Sequence, residues 1–162
     1  MNLVNGLPAH VLLVHVVVVL IPLTALALLA AALWPKAARR LGILLPALAF
    51  VALVSVPLTS HAGEWLERHV DSDPLVRKHT ELGDGLLPWA LGLFLLAALV
   101  WWAARRSSGR WTALPVRAVV GVLSVVVAVG AVVDVYRIGD SGAKAAWHDS
   151  FSKTATKESE GS

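Results

Sequence analysis

Residues 11–33 read VLLVHVVVVLIPLTALALLAAAL, an apolar run without a formal charge. As an α-helix this run would be about 35 Å long, more than the roughly 30 Å hydrocarbon core of a bilayer. The residues before it contain no Lys or Arg and a basic cluster follows it, which is the reverse of a cleaved signal peptide. We therefore predict a permanent transmembrane helix here.

Three further apolar runs follow, at residues 41–60, 85–104 and 114–136. The chain has 162 residues, 57% of them hydrophobic, and a mean hydropathy of +0.70, which is too apolar for a soluble domain of this size. We predict an all-α membrane protein, a four-helix transmembrane bundle with up-down topology. The bundle forms one domain, residues 1–147, and a polar tail at residues 148–162 is predicted to be disordered.

The two connections expected on one side of the membrane are basic and contain no Asp, Glu or His. The cations on this side are Lys36, Arg39, Arg40, Arg105, Arg106, Arg110 and Arg117. Because Lys and Arg are retained in the cytoplasm, we predict a multi-pass protein of the cell (inner) membrane with both termini extracytoplasmic. Tryptophans placed near the two boundaries, as in an aromatic belt, are Trp34, Trp101, Trp102, Trp111, Trp65 and Trp147.

Several chemistries are excluded by composition and motif. The absence of cysteine excludes disulfides, thiolate-held iron–sulfur clusters and cysteine zinc sites. The basic residues lie in short clusters between apolar runs, so no nucleic-acid partner is predicted. No GxSxG, HExxH or glycine-rich phosphate loop is present, which disfavours a hydrolytic enzyme. Any metal or redox chemistry must therefore use histidines and carboxylates.

All the histidines and acids lie on the predicted outer side. His79 shares an apolar helical stripe with Leu75, Leu82 and Leu86, and is predicted to point into the bundle. His15 lies inside the first span, where an ionisable side chain is a functional candidate. Antiparallel threading brings the outer helix ends together, as in bundles that hold cofactors between facing helices. The residues predicted to converge there are His10, His15, His61, Glu64, His79, Asp84 and Asp134.

Some of these residues also have plainer interpretations. His10 and His61 are equally well explained as ordinary interfacial histidines. Asp134 is followed three residues later by Arg137, which favours a structural salt bridge over a proton carrier. His69 and His148 are interpreted as solvated surface residues, without a chemical role.

A family resemblance is carried by short motifs over nearly the whole chain, up to about Trp147. The stretch PAHVLLVHVVVVLIP, with His10 and His15, resembles the first helix of a bacterial membrane family called domain of unknown function 2231. That family usually has Pro, Phe and Pro where this sequence has valine, at Val11, Val16 and Val17.

The resemblance continues in the later spans. The region of His79 resembles the third helix of the family, and VVDVYRIGDSGA resembles the end of its fourth, with Ile138 where a histidine is common. GEWLE and HTELGD resemble an actinobacterial branch. Because the helix-borne histidines look like those of small b-type cytochromes, the resemblance implies haem as a candidate cofactor.

The first functional hypothesis is a membrane electron-transfer protein with a single b-type haem near the outer surface. The expected axial ligands are His15 and His79, with His10 and His61 as further candidates for cofactor binding. No histidine exists near the inner face, so no second haem is predicted there. The electron partner would be an extracytoplasmic protein or a membrane quinone.

Two alternatives remain open at this point. A non-haem zinc, copper or iron site would use His61, Glu64, His79 and either His10 or Asp84, since mixed imidazole and carboxylate ligands suit these ions. A structural or regulatory subunit without a cofactor would use its histidines for packing or for sensing pH. Under each of these hypotheses a second copy of the chain is a candidate partner, as a homo-oligomer.

Overall fold

The structure is a computed structural model that describes residues 3–4, 7–67, 79, 81–106 and 114–147. Side chains are described for residues 12–64, 79, 81–106 and 114–144. The four long helices of this described part are α1 Ala9–Leu33, α3 Leu44–Glu67, α4 Leu86–Arg105 and α5 Leu114–Trp147. A short helix, α2 Pro35–Leu41, joins α1 to α3, and residues 81–84 form a helical turn ahead of α4.

The four long helices form a bundle in which α1 and α4 each pack against both α3 and α5. Neighbours run antiparallel, since Leu33 at the end of α1 faces Gly121 near the start of α5. Each long helix contains a stretch long and apolar enough to cross a membrane: Leu12–Leu33, Leu44–Glu64, Glu81–Arg105 and Leu114–Lys144. The predicted four-helix transmembrane bundle is thereby confirmed.

A small departure from the all-α prediction lies at the N-terminus. Two strands, β1 Leu3–Val4 and β2 Leu7–Pro8, pair antiparallel, with Leu3 opposite Pro8. They precede the first turn of α1.

The core is built from small side chains. On α1 the buried stripe is Val17, Ile21, Thr24, Leu28 and Ala31, at the spacing of one helix face. The other helices bury alanines beside larger side chains such as Leu45 and Leu93. The alanines are Ala49, Ala52, Ala90, Ala97, Ala128 and Ala131. Lipid tails are as apolar as these side chains, so association depends on close van der Waals packing, which small residues allow.

Two glycines mark a close contact between α4 and α5. A Cβ added at Gly130 would overlap the six-membered ring of Trp89, and one at Gly92 would be 3.0 Å from Cγ1 of Val127. Ser124 and Ala128 on the same side of α5 are buried. Small residues on this side of α5 therefore allow a close approach of α4.

The helix boundaries differ from the apolar runs in three places. α3 continues past Ser60 to Glu67. The second long helix begins at Leu44 instead of residue 41, because Gly42, with φ of +50°, ends α2 and turns the chain. α5 continues to Trp147, well beyond the predicted end of the span at residue 136, since hydropathy marks where lipid ends and not where the helix ends. The predicted tail, residues 148–162, lies outside the described residues.

Candidate functional site

The bundle has two chemically different ends. At the histidine end, defined by the start of α1, the end of α3, the start of α4 and the end of α5, lie His15, His61 and His79. The basic end is defined by α2 and the last turn of α4, where the charged residues are Lys36, Arg39, Arg40, Arg105 and Arg106. Ionisable groups inside or beside membrane spans mark functional sites, so each end is a candidate.

His79 is held against the C-terminal part of α5. Its imidazole is half-buried, and Nδ1 lies 3.1 Å from the backbone carbonyl oxygen of Ile138 and 3.0 Å from Oγ of Ser141. The Ser141 hydroxyl in turn donates to the same Ile138 carbonyl, at 2.8 Å. These contacts join the region before α4 to α5 across 59 and 62 residues of sequence.

These hydrogen bonds assign the His79 tautomer. A carbonyl oxygen only accepts, so Nδ1 of His79 carries the hydrogen and donates it to Ile138. The Ser141 hydroxyl uses its own hydrogen on that carbonyl and accepts from Nδ1 with a lone pair. In the neutral imidazole the lone pair therefore lies on Nε2, which is the nitrogen able to bind a metal or a proton.

Gly142 makes room for the imidazole. A Cβ at this position would be 3.0 Å from Cε1 of His79 and 3.2 Å from its Nδ1, closer than side chains normally pack. Gly142 and Ser141 lie beyond the predicted end of the fourth span, so hydropathy gave no reason to select them. One feature of the sequence could have pointed to them. The serine and the glycine are adjacent and follow, by one helical turn, the position where the resembled family often has histidine.

Asp134 lies deeper on α5, beside the start of α4. Its Oδ2 is buried and accepts no hydrogen bond from the described residues. The same oxygen is 3.7 Å from the position that a Cβ would take at Gly85. The predicted partner, Arg137, is exposed, and among the described residues no salt bridge joins it to Asp134. The ion pair that the described part of α5 forms instead links Lys144 Nζ to Asp140 Oδ2, at 2.6 Å and exposed on both sides.

His15 does not lie on the packed face of α1. It is exposed, whereas Val17, two residues later, is buried to 6% exposure. Two residues correspond to about 200° around a helix, so His15 faces away from the bundle interior. The structure therefore does not direct His15 and His79 towards one shared interior space.

The other predicted ligands are distributed over the surface of this end. His61 is exposed, and its Nδ1 lies 2.8 Å from the Pro57 carbonyl oxygen on the same helix. Glu64 and Asp84 are exposed as well. Within residues 12–64, 79, 81–106 and 114–144, no three His, Asp or Glu side chains lie close enough to hold a metal ion. The side chain of His10 lies outside the described residues.

The fold and this polar end define the class of protein: a multi-pass helical membrane protein with a histidine bonded to the C-terminal part of its last long helix. A family model described as "Predicted membrane protein (DUF2231)" matches residues 6–155, and the chain belongs to this family. The match confirms the family that the sequence resembled. It does not test the resemblance to an actinobacterial branch. No curated protein and no solved structure matches the chain.

Proposed function

We propose that the chain is a membrane redox protein that holds a single b-type haem at the histidine end, with His79 as an axial ligand. The observation that carries this proposal is the hydrogen bond from Nδ1 of His79 to the Ile138 carbonyl. Histidines that bind metals almost always donate their second ring nitrogen to such an acceptor, which fixes the tautomer and the ring orientation. Bound haem would supply one-electron transfer.

The donor set fits haem at His79 and restricts the choice of the second ligand. His15 is exposed on the outward face of α1, so it does not meet His79 inside one bundle. We propose His10 as the second ligand, because it lies in the first turn of α1, at the histidine end. His61 is the weaker candidate, since its Nδ1 is engaged with Pro57 on its own helix.

The test is the visible spectrum of the detergent-purified full chain, as isolated and after reduction with dithionite, with iron analysis of the same sample. A Soret band, an α band that sharpens on reduction and about one iron per chain are expected. H10A should lose most of the Soret absorbance, while H61A should keep it. A featureless spectrum from cells supplied with haem precursors would overturn the proposal, and two haems per chain would overturn the single site.

One haem at one end restricts the electron partner to that side. The sequence has no histidine in the basic connections, so no second haem is held there through histidine. We propose exchange with an extracytoplasmic protein or with a quinone in the bilayer. Reduction of the purified protein by a short-chain quinol would support the quinone; reduction only by a soluble redox protein would support the other partner.

The orientation in the inner membrane is part of the same proposal. Seven basic residues and no acids occupy the two connections at the basic end, which the positive-inside rule assigns to the cytoplasm. A periplasm-active reporter fused after Ser162 is expected to be active, and the same reporter inserted at residues 36–40 silent. The opposite pattern would place the histidine end in the cytoplasm.

A second candidate is a structural subunit without a cofactor, and the contacts of His79 favour it as well. The hydrogen bonds from His79 to Ile138 and Ser141 join the region before α4 to α5 whether or not a ligand is bound. If this is their whole role, H79A lowers thermal stability and the purified protein is colourless and free of iron. Zinc or copper in the elemental analysis of a colourless protein would support a non-haem metal site instead.

A further inference from the structure

A cleft at the basic end lies outside the site proposed above. It has a volume of about 360 Å³ and lies between the α2 corner and the last turns of α4. Arg39 lines it from α2 and Arg105 from α4, so two arginines on different helices border one space. Its volume is within the range of about 300–1,000 Å³ that small-ligand sites occupy.

Small residues leave this space open. Ala38, Gly42 and Ala104 line the cleft, and none of them projects a side chain into it beyond one methyl group. Gly42 turns the chain at φ of +50°, a conformation that side chains disfavour, and its N–H donates to the Ala38 carbonyl at 3.1 Å. The corner between α2 and α3 is thus fixed by the backbone, and the cleft with it.

The charge of the cleft is not balanced nearby. Residues 34–43 and 101–117 contain seven Lys and Arg and no acid. Arg105 lies over the ring of Trp101 with its Cζ 5.1 Å from the ring centroid, which restricts the guanidinium to one side of the cleft. Arginine guanidinium groups bind phosphate oxygens with paired hydrogen bonds, so the fitting ligand is a phosphate group.

The apolar walls show where the rest of the ligand goes. Ile43 lines the cleft and is 59% exposed, and Leu44 beside it is 67% exposed at the start of a membrane span. Trp101 provides a further apolar wall. A ligand with its phosphate between Arg39 and Arg105 would therefore continue along surfaces that face the lipid.

We infer that this cleft binds the phosphate of an anionic phospholipid, with Arg39 and Arg105 holding the headgroup and the acyl chains lying along Ile43 and Leu44. Basic pockets between helix ends are the type of site that anionic headgroups occupy. The inference is independent of the proposed haem site, which lies at the opposite end of the bundle.

The chain offers a matched control for the test. Arg40 and Arg106 are sequence neighbours of the two cleft arginines and are exposed, but they do not line the cleft. Arg106 is also placed over a tryptophan, Trp102, at 4.3 Å. The double variants R39Q/R105Q and R40Q/R106Q therefore remove the same charge from the same helix ends, and only the first removes it from the cleft.

The experiment is native mass spectrometry of the delipidated full chain in detergent, titrated with dioleoyl phosphatidylglycerol or dioleoyl phosphatidylcholine. The wild type should bind the anionic lipid at least tenfold more tightly than the zwitterionic one. Each membrane-facing arginine contributes roughly fivefold, so R39Q/R105Q should lose roughly 30-fold in affinity for the anionic lipid. R40Q/R106Q should lose less than about threefold, because the remaining effect is screened surface charge.

Three results would overturn the inference. Equal losses in the two double variants would show that net charge, not the cleft, attracts the lipid. Equal binding of phosphatidylcholine by the wild type would remove the role of the headgroup charge. Displacement of the bound lipid by millimolar inorganic phosphate would show that the ligand is a soluble phosphate compound. Circular dichroism of both variants checks that their helices are intact.

Discussion

The two ends of the bundle treat their polar groups in opposite ways. At the histidine end His79 is half-buried and bonded across helices to Ile138 and Ser141. At the basic end Arg105 and Arg106 are exposed and lie over two tryptophans of α4, Trp101 and Trp102. The first arrangement fixes the imidazole against α5, and the second leaves cations at the surface. These are the two arrangements on which the proposed haem site and the proposed lipid site respectively depend.

A substitution at the contact between Gly130 and Trp89 is expected to have the largest effect on stability. In G130A the new methyl group overlaps the Trp89 ring, so either the ring or α4 must move. We expect a loss of about 1–3 kcal/mol in the free energy of unfolding, measured by circular dichroism in mixed dodecyl maltoside–SDS micelles. The control is G139A on the same helix, where a Cβ meets nothing within 4 Å, and which should gain about 0.5–1 kcal/mol. If both variants behave alike, the close contact of α4 with α5 is wrong.

A pair of glycine variants compares the two ends directly. G142A places a methyl group 3.0 Å from Cε1 of His79, whereas G121A meets only Leu33, at 4.0 Å. The imidazole is held by two hydrogen bonds and cannot yield freely, so G142A should cost about 1 kcal/mol. G121A should be neutral or slightly stabilising, since alanine favours a helix. The same unfolding assay measures both, and a stabilising G142A would contradict the placement of His79.

Two serines of α5 are expected to respond with opposite sign. Ser141 bonds to His79 and Ile138, whereas Oγ of Ser124 is fully buried and lacks a hydrogen-bond partner among the described residues. S141A should therefore lower the free energy of unfolding by about 0.5–1 kcal/mol. S124A should leave it unchanged or raise it, because it removes an unsatisfied buried hydroxyl. A larger loss in S124A than in S141A would show that the hydrogen bonds of the histidine end contribute little.

The smallest effect on stability is expected at the basic end. R105Q and R106Q each remove one exposed cation–π contact, with Trp101 and Trp102 respectively, at a cost of about 0.5 kcal/mol. The two variants should be indistinguishable in unfolding and should differ only in binding of anionic lipid. A clear difference in stability between them would mean that the cleft arginine supports the fold itself.

The fold could be predicted from the sequence and the contacts of the site could not, for a physical reason. Backbone N–H and C=O groups in lipid must form their hydrogen bonds within the helix, so an uncharged run as long as residues 11–33 is expected to be a transmembrane helix. Hydropathy does not predict which face of a helix is buried when all of its faces are apolar. In the run of four valines on α1, Val17 is 6% exposed and Val19 is 63% exposed, although the two residues are chemically identical.

For the same reason, the orientation of the predicted site residues could not be derived from hydropathy. Hydropathy showed that His15 lies inside a span, but the face on which it lies depends on packing through small residues such as Ala25 and Ala31. For His79 the apolar stripe indicated an inward direction, and the structure places it half-buried against α5. Its partners could not be found in this way, because a backbone carbonyl at Ile138 has no sequence signature and Ser141 lies beyond the apolar run.

A comparison of variants at His79 and His15 tests the proposed haem site most directly. H79A removes the imidazole that is hydrogen-bonded to α5, and H15A removes an exposed imidazole from the outward face of α1. The measurement is the Soret absorbance per chain of each purified variant, relative to the wild type in the same preparation. With His79 as an axial ligand, we expect that H79A loses the Soret band and that H15A keeps it. Loss of the band in H15A with full retention in H79A would contradict the assignment of the histidine end as a His79-centred haem site.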